Sequence, residues 1–159
     1  AWSVNILGGD SATNGFLQSA RGAGALASAL FIASLGRFNY KGKLLSIGAI
    51  TFPLLMIIFS YVHIIPLSLI IIFALGSALI LTMNIANSLV QTLVPDNLRG
   101  RVMGIYTLTF FGLLPIGSLM MGTLAEYFGE SDAILISSVA TFVIAVLIFL
   151  LAPSIKKLK

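Results

Sequence analysis

Five long apolar segments, separated by short polar breaks, constrain the fold of this 159-residue chain more than any other feature. The hydrocarbon core of a bilayer is about 30 Å thick, so a helix of about 20 apolar residues can cross it. The segments are residues 13–35, 44–62, 67–94, 102–124 and 133–151. This pattern predicts an all-α fold, a polytopic bundle of five transmembrane helices that forms a single membrane domain over residues 1–159.

The composition excludes several other classes of protein. The chain is 58% hydrophobic and 9% charged, whereas a soluble domain carries roughly a quarter of its residues as charges. The net charge of +4 does not indicate nucleic-acid binding, because the basic residues lie in the breaks between apolar segments and form no single basic face. With no cysteine, one histidine and five acidic residues, we expect no metal site and no enzymatic activity.

Charged residues alternate between the two sides of the predicted membrane. Eight of the nine basic residues lie on one side: Arg37, Lys41, Lys43, Arg99, Arg101, Lys156, Lys157 and Lys159. The other side carries acidic residues: Asp10, Glu126, Glu130 and Asp132. Because short cytoplasmic loops are enriched in Lys and Arg, we predict an external N-terminus and a cytoplasmic C-terminus. The chain does not begin with Met, and residues 1–9 resemble the tail of an earlier span or the loop after it. Together these features predict a fragment of a larger protein.

Three side-chain amides lie in the third segment. Asn84, Asn87 and Gln91 fall within about a 100° arc of a helix, together with Ser77 and Ser88. Amides are costly inside a bilayer, and they usually serve a function there. The functional interpretation is a substrate-binding cavity, and the alternative is hydrogen bonding between helices, worth only about 0.6 kcal/mol on average. We predict that Asn84, Asn87 and Gln91 line a cavity.

Arg21 is a cation inside the first segment, about a third of the way along it. Such a cation must face protein or water and find a partner, and none of the five acidic residues lies near the centre of a segment. The partner of Arg21 is therefore water, an anionic substrate in the same predicted cavity, or a carboxylate outside this chain. The alternative is a structural ion pair or a side chain that extends towards the membrane surface. Both interpretations remain open from the sequence.

Two groups of small residues predict close helix packing, since small side chains let helix backbones approach each other. The first group, Ala20, Gly24 and Ser28, lies on one face of the first segment. The second group lies on one face of the fourth segment and consists of Gly104, Pro115, Ser118 and Gly122.

Residues 87–106, NSLVQTLVPDNLRGRVMGIY, carry a resemblance to a known family. They resemble the junction between the tenth and eleventh helices of major facilitator superfamily transporters, in the branch that contains the enterobactin exporter and the macrolide efflux proteins. The stretch from Pro95 to Arg101 is the most specific part. The resemblance implies that the chain is the C-terminal half of such a transporter, helices 8–12, and that its partner is the missing N-terminal half.

The resemblance also implies a function. It predicts a secondary active transporter that exports a drug-like small molecule or a siderophore by alternating access, without a cofactor and as a proton-driven antiporter. Asp96, Arg99 and Arg101 would then form a cytoplasmic gate, and the protein would reside in a bacterial inner membrane. The alternative is a non-transporting membrane subunit or scaffold.

Overall fold

Six helices form the part of the chain that the structure describes, residues 2–34 and 40–152 of a computed structural model. They are α1 (Trp2–Asn5), α2 (Ser11–Ser34), α3 (Lys41–Ser60), α4 (Ile65–Leu93), α5 (Asp96–Phe128) and α6 (Glu130–Leu151). The helices α2 to α6 are each long and apolar enough to cross a membrane. The predicted all-α polytopic bundle of five spans is confirmed. Four of the basic residues that were predicted to lie on the cytoplasmic side are outside the described residues: Arg37, Lys156, Lys157 and Lys159.

The break between α4 and α5 is shorter than the sequence predicts. Only Val94 and Pro95 separate the two helices, and α5 begins at Asp96. The prediction that this break extends through Arg101 is therefore wrong. Pro95 ends α4 because the residue before a proline is driven from helical to extended backbone, and Val94 has φ −89° and ψ 129°. Asp96 then lies in the first turn of α5, where a negative charge is stabilised by the helix dipole. The arginines therefore lie within the helix.

The N-terminal segment folds onto the start of α2. After the short helix α1, the backbone N–H of Gly9 donates to the carbonyl of Ser3 over 2.8 Å. Gly8 adopts a φ of +61°, a left-handed conformation that glycine adopts without steric cost. This turn places α1 beside α2, where Ser3 is buried.

A capping box closes the N-terminus of α2. The Asp10 carboxylate Oδ1 accepts hydrogen bonds from the backbone N–H of Thr13 (2.9 Å) and from its hydroxyl (3.0 Å), and the Asp10 N–H donates back to Thr13 Oγ1 (3.3 Å). This reciprocal arrangement satisfies N–H groups that have no partner within the helix. The hydrogen bonds from the Thr13 backbone and side chain lower the pKa of Asp10 below its ordinary value.

The closest helix contact joins α2 and α4, the pair that packs most extensively. A Cβ added to Gly24 would overlap the carbonyl oxygen of Phe73, and one added to Gly76 would overlap that of Arg21. Across the same contact, the Ser77 hydroxyl donates to the Gly24 carbonyl over 2.8 Å. The predicted close packing is found at Gly24 and Ser28, which are buried.

The helix α3 packs against both α4 and α6. At its contact with α4, a Cβ added to Gly48 would overlap the hydroxyl of Thr82. A core cluster of Phe59, Val62, Ile71 and Leu75 joins the end of α3 to the first half of α4. The helix α4 thus packs directly against α2 and α3, and α6 joins the bundle through α3.

The helix α5 stands apart from this packing. None of its residues is buried, and among the described residues it contacts α6 and, weakly, α4. Gly104 and Gly122 have no atom within 4 Å of an added Cβ, and Pro115 and Ser118 are exposed. The prediction that these four residues pack closely against another helix is not met by any described helix of this chain.

We expect Gly24→Ala to destabilise the bundle, because its methyl group would overlap the Phe73 carbonyl and force α2 and α4 apart. Overpacking of this kind costs about 1–3 kcal/mol. Thermal unfolding of the full-length protein in detergent measures the loss. Gly15→Ala is the matched control, because Gly15 lies in α2 with open space around it. An equal fall in midpoint for both variants would contradict the close contact.

We expect the start of α2 to loosen in acid. Because the folded pKa of Asp10 is lowered, its stabilising contribution is present above the unfolded value of about 3.9 and is lost as pH falls through the lower folded value. Amide hydrogen exchange at residues 11–14, corrected for its intrinsic pH dependence, should show protection falling below about pH 4. In Asp10→Asn this pH dependence should disappear; if it persists, another group is responsible.

Candidate functional site: an amide face and an arginine cavity

The predicted amides lie on the open face of α4. Asn84 and Gln91 are exposed and Asn87 is half-buried, and the Gln91 Nε2 donates to Asn87 Oδ1 over 2.9 Å. At about 100° per residue, these side chains point away from the buried face of α4, where Ile85 and Leu89 pack. We define Asn84, Asn87 and Gln91 as the amide face.

Ser77 belongs to the same predicted stripe but has a different environment. Its hydroxyl is used in the hydrogen bond to the Gly24 carbonyl, so it joins helices and does not face an open surface. The stripe on α4 is therefore divided. Its first part packs against α2. Its later part, the amide face, forms no side-chain hydrogen bond with the rest of the described chain beyond the one between Gln91 and Asn87.

Arg21 lies in a different place, at a cavity between α2, α3 and α4. This cavity has a volume of about 340 Å³, and its lining includes Asn14, Gln18 and Arg21 from α2 and the buried Ser3 of α1. A smaller opening of about 260 Å³ along the α2–α4 contact shares Gln18 and Arg21. The structure does not bring Arg21 together with the amide face, because the lining of the larger cavity contains none of the three amides.

Arg21 has no ionic partner in the described part of the chain. The one salt bridge among those residues joins Arg99 to Asp96. The structural ion pair that the sequence left open for Arg21 is therefore absent from the described residues of this chain. The guanidinium contributes a free positive charge to the cavity.

The three predicted gate residues lie in the first two turns of α5. The Arg99 guanidinium contacts the Asp96 carboxylate at 2.5 Å, and both side chains are substantially exposed, 47% and 89% respectively. Exposed pairs of this kind contribute about 0–1 kcal/mol, so this pair orients Arg99 more than it stabilises the helix. Arg101 is exposed as well. The structure thus places all three on one accessible helix end.

Sequence reasoning missed two features of these surfaces. Phe52, Met56 and Phe59 of α3 form the apolar wall of the arginine cavity, and their i, i+4, i+7 spacing could have indicated a shared face. The second feature links distant segments: the Asn5 side chain donates to Glu130 Oε1 over 2.6 Å, while Glu130 Oε2 is buried without a described partner. No local pattern in the sequence predicts that contact.

These features define a class of protein. Five membrane-spanning helices carry polar side chains on an open helix face and in a cavity, and the described residues contain no group of His, Cys, Asp or Glu that could hold a metal ion. This is an integral membrane protein with the polar surfaces of a transporter. The chain belongs to the transmembrane secretion effector family of the major facilitator superfamily, whose match covers residues 3–158. That superfamily consists of transporters and not of enzymes, as the sequence predicted.

Similarity to one further protein supports this family assignment. The chain is 26% identical over 144 residues to the multidrug efflux pump Tap of Mycolicibacterium fortuitum, a match that covers 91% of this chain and 35% of the relative. The chain thus spans about a third of the length of that protein. No solved structure matches the chain.

We expect cysteine substitution to distinguish the two faces of α4. The chain contains no cysteine of its own, so single cysteines can be introduced into this segment without background from it. Gln91→Cys should react with a membrane-impermeant, charged thiol reagent if the amide face meets water, because the thiolate forms only where water reaches it. Leu89→Cys, on the buried face, is the control and should remain unmodified. Labelling is read by mass spectrometry of the full-length protein, and an unreactive Gln91→Cys would contradict a water-filled cavity.

Proposed function

We propose that this chain forms the C-terminal half of a secondary active transporter that exports a drug-like small molecule or a siderophore by alternating access. The other half would be supplied by N-terminal helices of the same protein. The proposal is supported by the family match over residues 3–158 and by the similarity to a multidrug efflux pump, of which the match covers 35%. The proposed location is a bacterial inner membrane, as the organism of that relative suggests.

The observation that carries the proposal is the amide face. Asn84, Asn87 and Gln91 lie on the side of α4 that the bundle leaves open, and amides that face lipid are costly. The neighbouring helix α5 has no buried residue. A second set of helices packed over this side covers α5. A water-filled passage between the two sets hydrates the amide face.

The remaining residues take roles consistent with this arrangement. The amides hydrogen-bond the substrate near the middle of the membrane, and rocking of the two halves exposes that site alternately to each side. Asp96, Arg99 and Arg101 lie at the end of the passage, which the distribution of basic residues assigns to the cytoplasm. There they stabilise the closed state of the cytoplasmic gate. Proton antiport supplies the energy, and no cofactor is required.

The proposal predicts that Asn87→Leu combined with Gln91→Leu abolishes most transport. Both substitutions replace hydrogen-bonding groups by apolar ones of similar size, and two lost hydrogen bonds of about 1 kcal/mol each correspond to roughly a 30-fold loss of affinity. Efflux of a fluorescent dye from cells that express the full-length protein measures the effect.

Thr141→Leu is the matched control, because Thr141 is an exposed polar residue of α6, away from the amide face, whose hydroxyl donates to the carbonyl of Ser137 in its own helix. Expression and membrane insertion of both variants are checked by immunoblotting. Efflux that is unchanged in the double variant would refute the role of the amide face. A full-length protein with no efflux of any tested compound would instead favour the scaffold.

A further inference from the structure

The cavity between α2, α3 and α4 has two chemically different walls. One wall is polar and consists of Asn14, Gln18 and Arg21 on α2. The other is apolar and includes Phe52 and Met56 of α3. Its volume of about 340 Å³ falls within the range of small-molecule sites, about 300–1,000 Å³. The cavity is therefore large enough for an organic ligand that is polar at one end and apolar along its body.

The polar wall is built to bind an anion. Asn14, Gln18 and Arg21 follow an i, i+4, i+7 spacing, which places them on one side of α2. Both amide groups and the guanidinium are hydrogen-bond donors, and all three side chains line the same cavity. Arg21 forms no salt bridge with any described carboxylate, and a guanidinium in a membrane-spanning helix requires a charged or strongly polar partner.

The arginine cavity and the amide face are separate sites. The cavity contacts α4 through Ile72, Leu75 and Leu79, whereas the amide face begins at Asn84. At 1.5 Å per residue, the centres of the two sets lie roughly 18 Å apart along the helix, and they point about 120° apart around it. A small molecule held at one site therefore does not contact the other.

We propose that this cavity binds an amphiphilic organic anion, with its phosphate or carboxylate group on Arg21 and its hydrocarbon body against Phe52, Met56 and Phe59. This site is additional to the amide face and does not require that the protein transport its ligand. The same chemistry is offered by an anionic lipid of the bilayer and by a free amphiphilic anion.

Binding of octyl phosphate to the full-length protein tests the proposal. The protein is placed in phosphatidylcholine nanodiscs, binding of radiolabelled octyl phosphate is measured, and binding to empty nanodiscs is subtracted. Arg21→Gln should weaken binding about 10- to 100-fold, since it removes a charge-assisted hydrogen bond. Gln18→Leu, which retains the size of the side chain and keeps the helix apolar, should weaken it several-fold.

Lys43→Gln is the matched control. Lys43 lies on α3 outside the cavity, its side chain is exposed, and its ammonium group lies 5.3 Å from the centre of the Tyr40 ring. The substitution Lys43→Gln removes one positive charge without changing the cavity, so binding should match that of the unmodified protein. The proposal is overturned if the unmodified protein binds no octyl phosphate, or if Arg21→Gln binds it as tightly as Lys43→Gln does. If Arg21→Gln does not fold, Gln18→Leu takes its place in that comparison.

A second arm of the experiment identifies the source of the anion. Part of the phosphatidylcholine is replaced by phosphatidylglycerol, whose headgroup carries a phosphate in the same bilayer. Suppressed binding of octyl phosphate in the unmodified protein assigns the cavity to an anionic lipid. Undiminished binding assigns it to a free amphiphile. Either result supports the proposed site.

Discussion

The close contact between α2 and α4 is the interaction on which the rest of the structure depends. Lipid is as apolar as a leucine side chain, so no hydrophobic force drives helices together inside a bilayer. Dispersion contacts between closely approaching backbones replace that force, and they require that Gly24 and Gly76 carry no side chain. The Ser77 hydroxyl adds direction to the contact by donating to the Gly24 carbonyl. This contact places the backbone of Arg21 directly beside α4.

Because of this contact, two sides of α4 have different environments. Its buried side, with Leu75, meets α3 and closes the arginine cavity. Its other side packs on α2 as far as Ser77 and then becomes the amide face. One helix thus carries a site inside the bundle and a site that faces outwards. A substitution at Gly76 would force α2 and α4 apart, because an added Cβ would overlap the Arg21 carbonyl.

Some of this structure was predictable from the sequence for simple physical reasons. The length of the apolar segments predicts five spans, and the spacing of Gly24 and Ser28 predicts a packed face on α2. The start of α5 was misjudged because charged residues such as Arg99 and Arg101 end the apolar segment without ending the helix. The apolar wall of the cavity was missed because α3 is apolar on most of its surface, so the shared spacing of Phe52 and Met56 stands out little from that of their neighbours. The contact of Asn5 with Glu130 spans 125 positions, and no local pattern encodes it.

The length of α5 links this protein to the thickness of its membrane. Its 33 residues extend about 50 Å at 1.5 Å per residue, whereas the hydrocarbon core is about 30 Å thick. A helix of this length must lean or protrude, and each ångström of mismatch costs a fraction of a kcal/mol. The apolar part of α5, residues 102–124, extends only about 35 Å, so the charged first turns of the helix project beyond the hydrocarbon core. The pair formed by Arg99 and Asp96 therefore lies where water and lipid headgroups reach it.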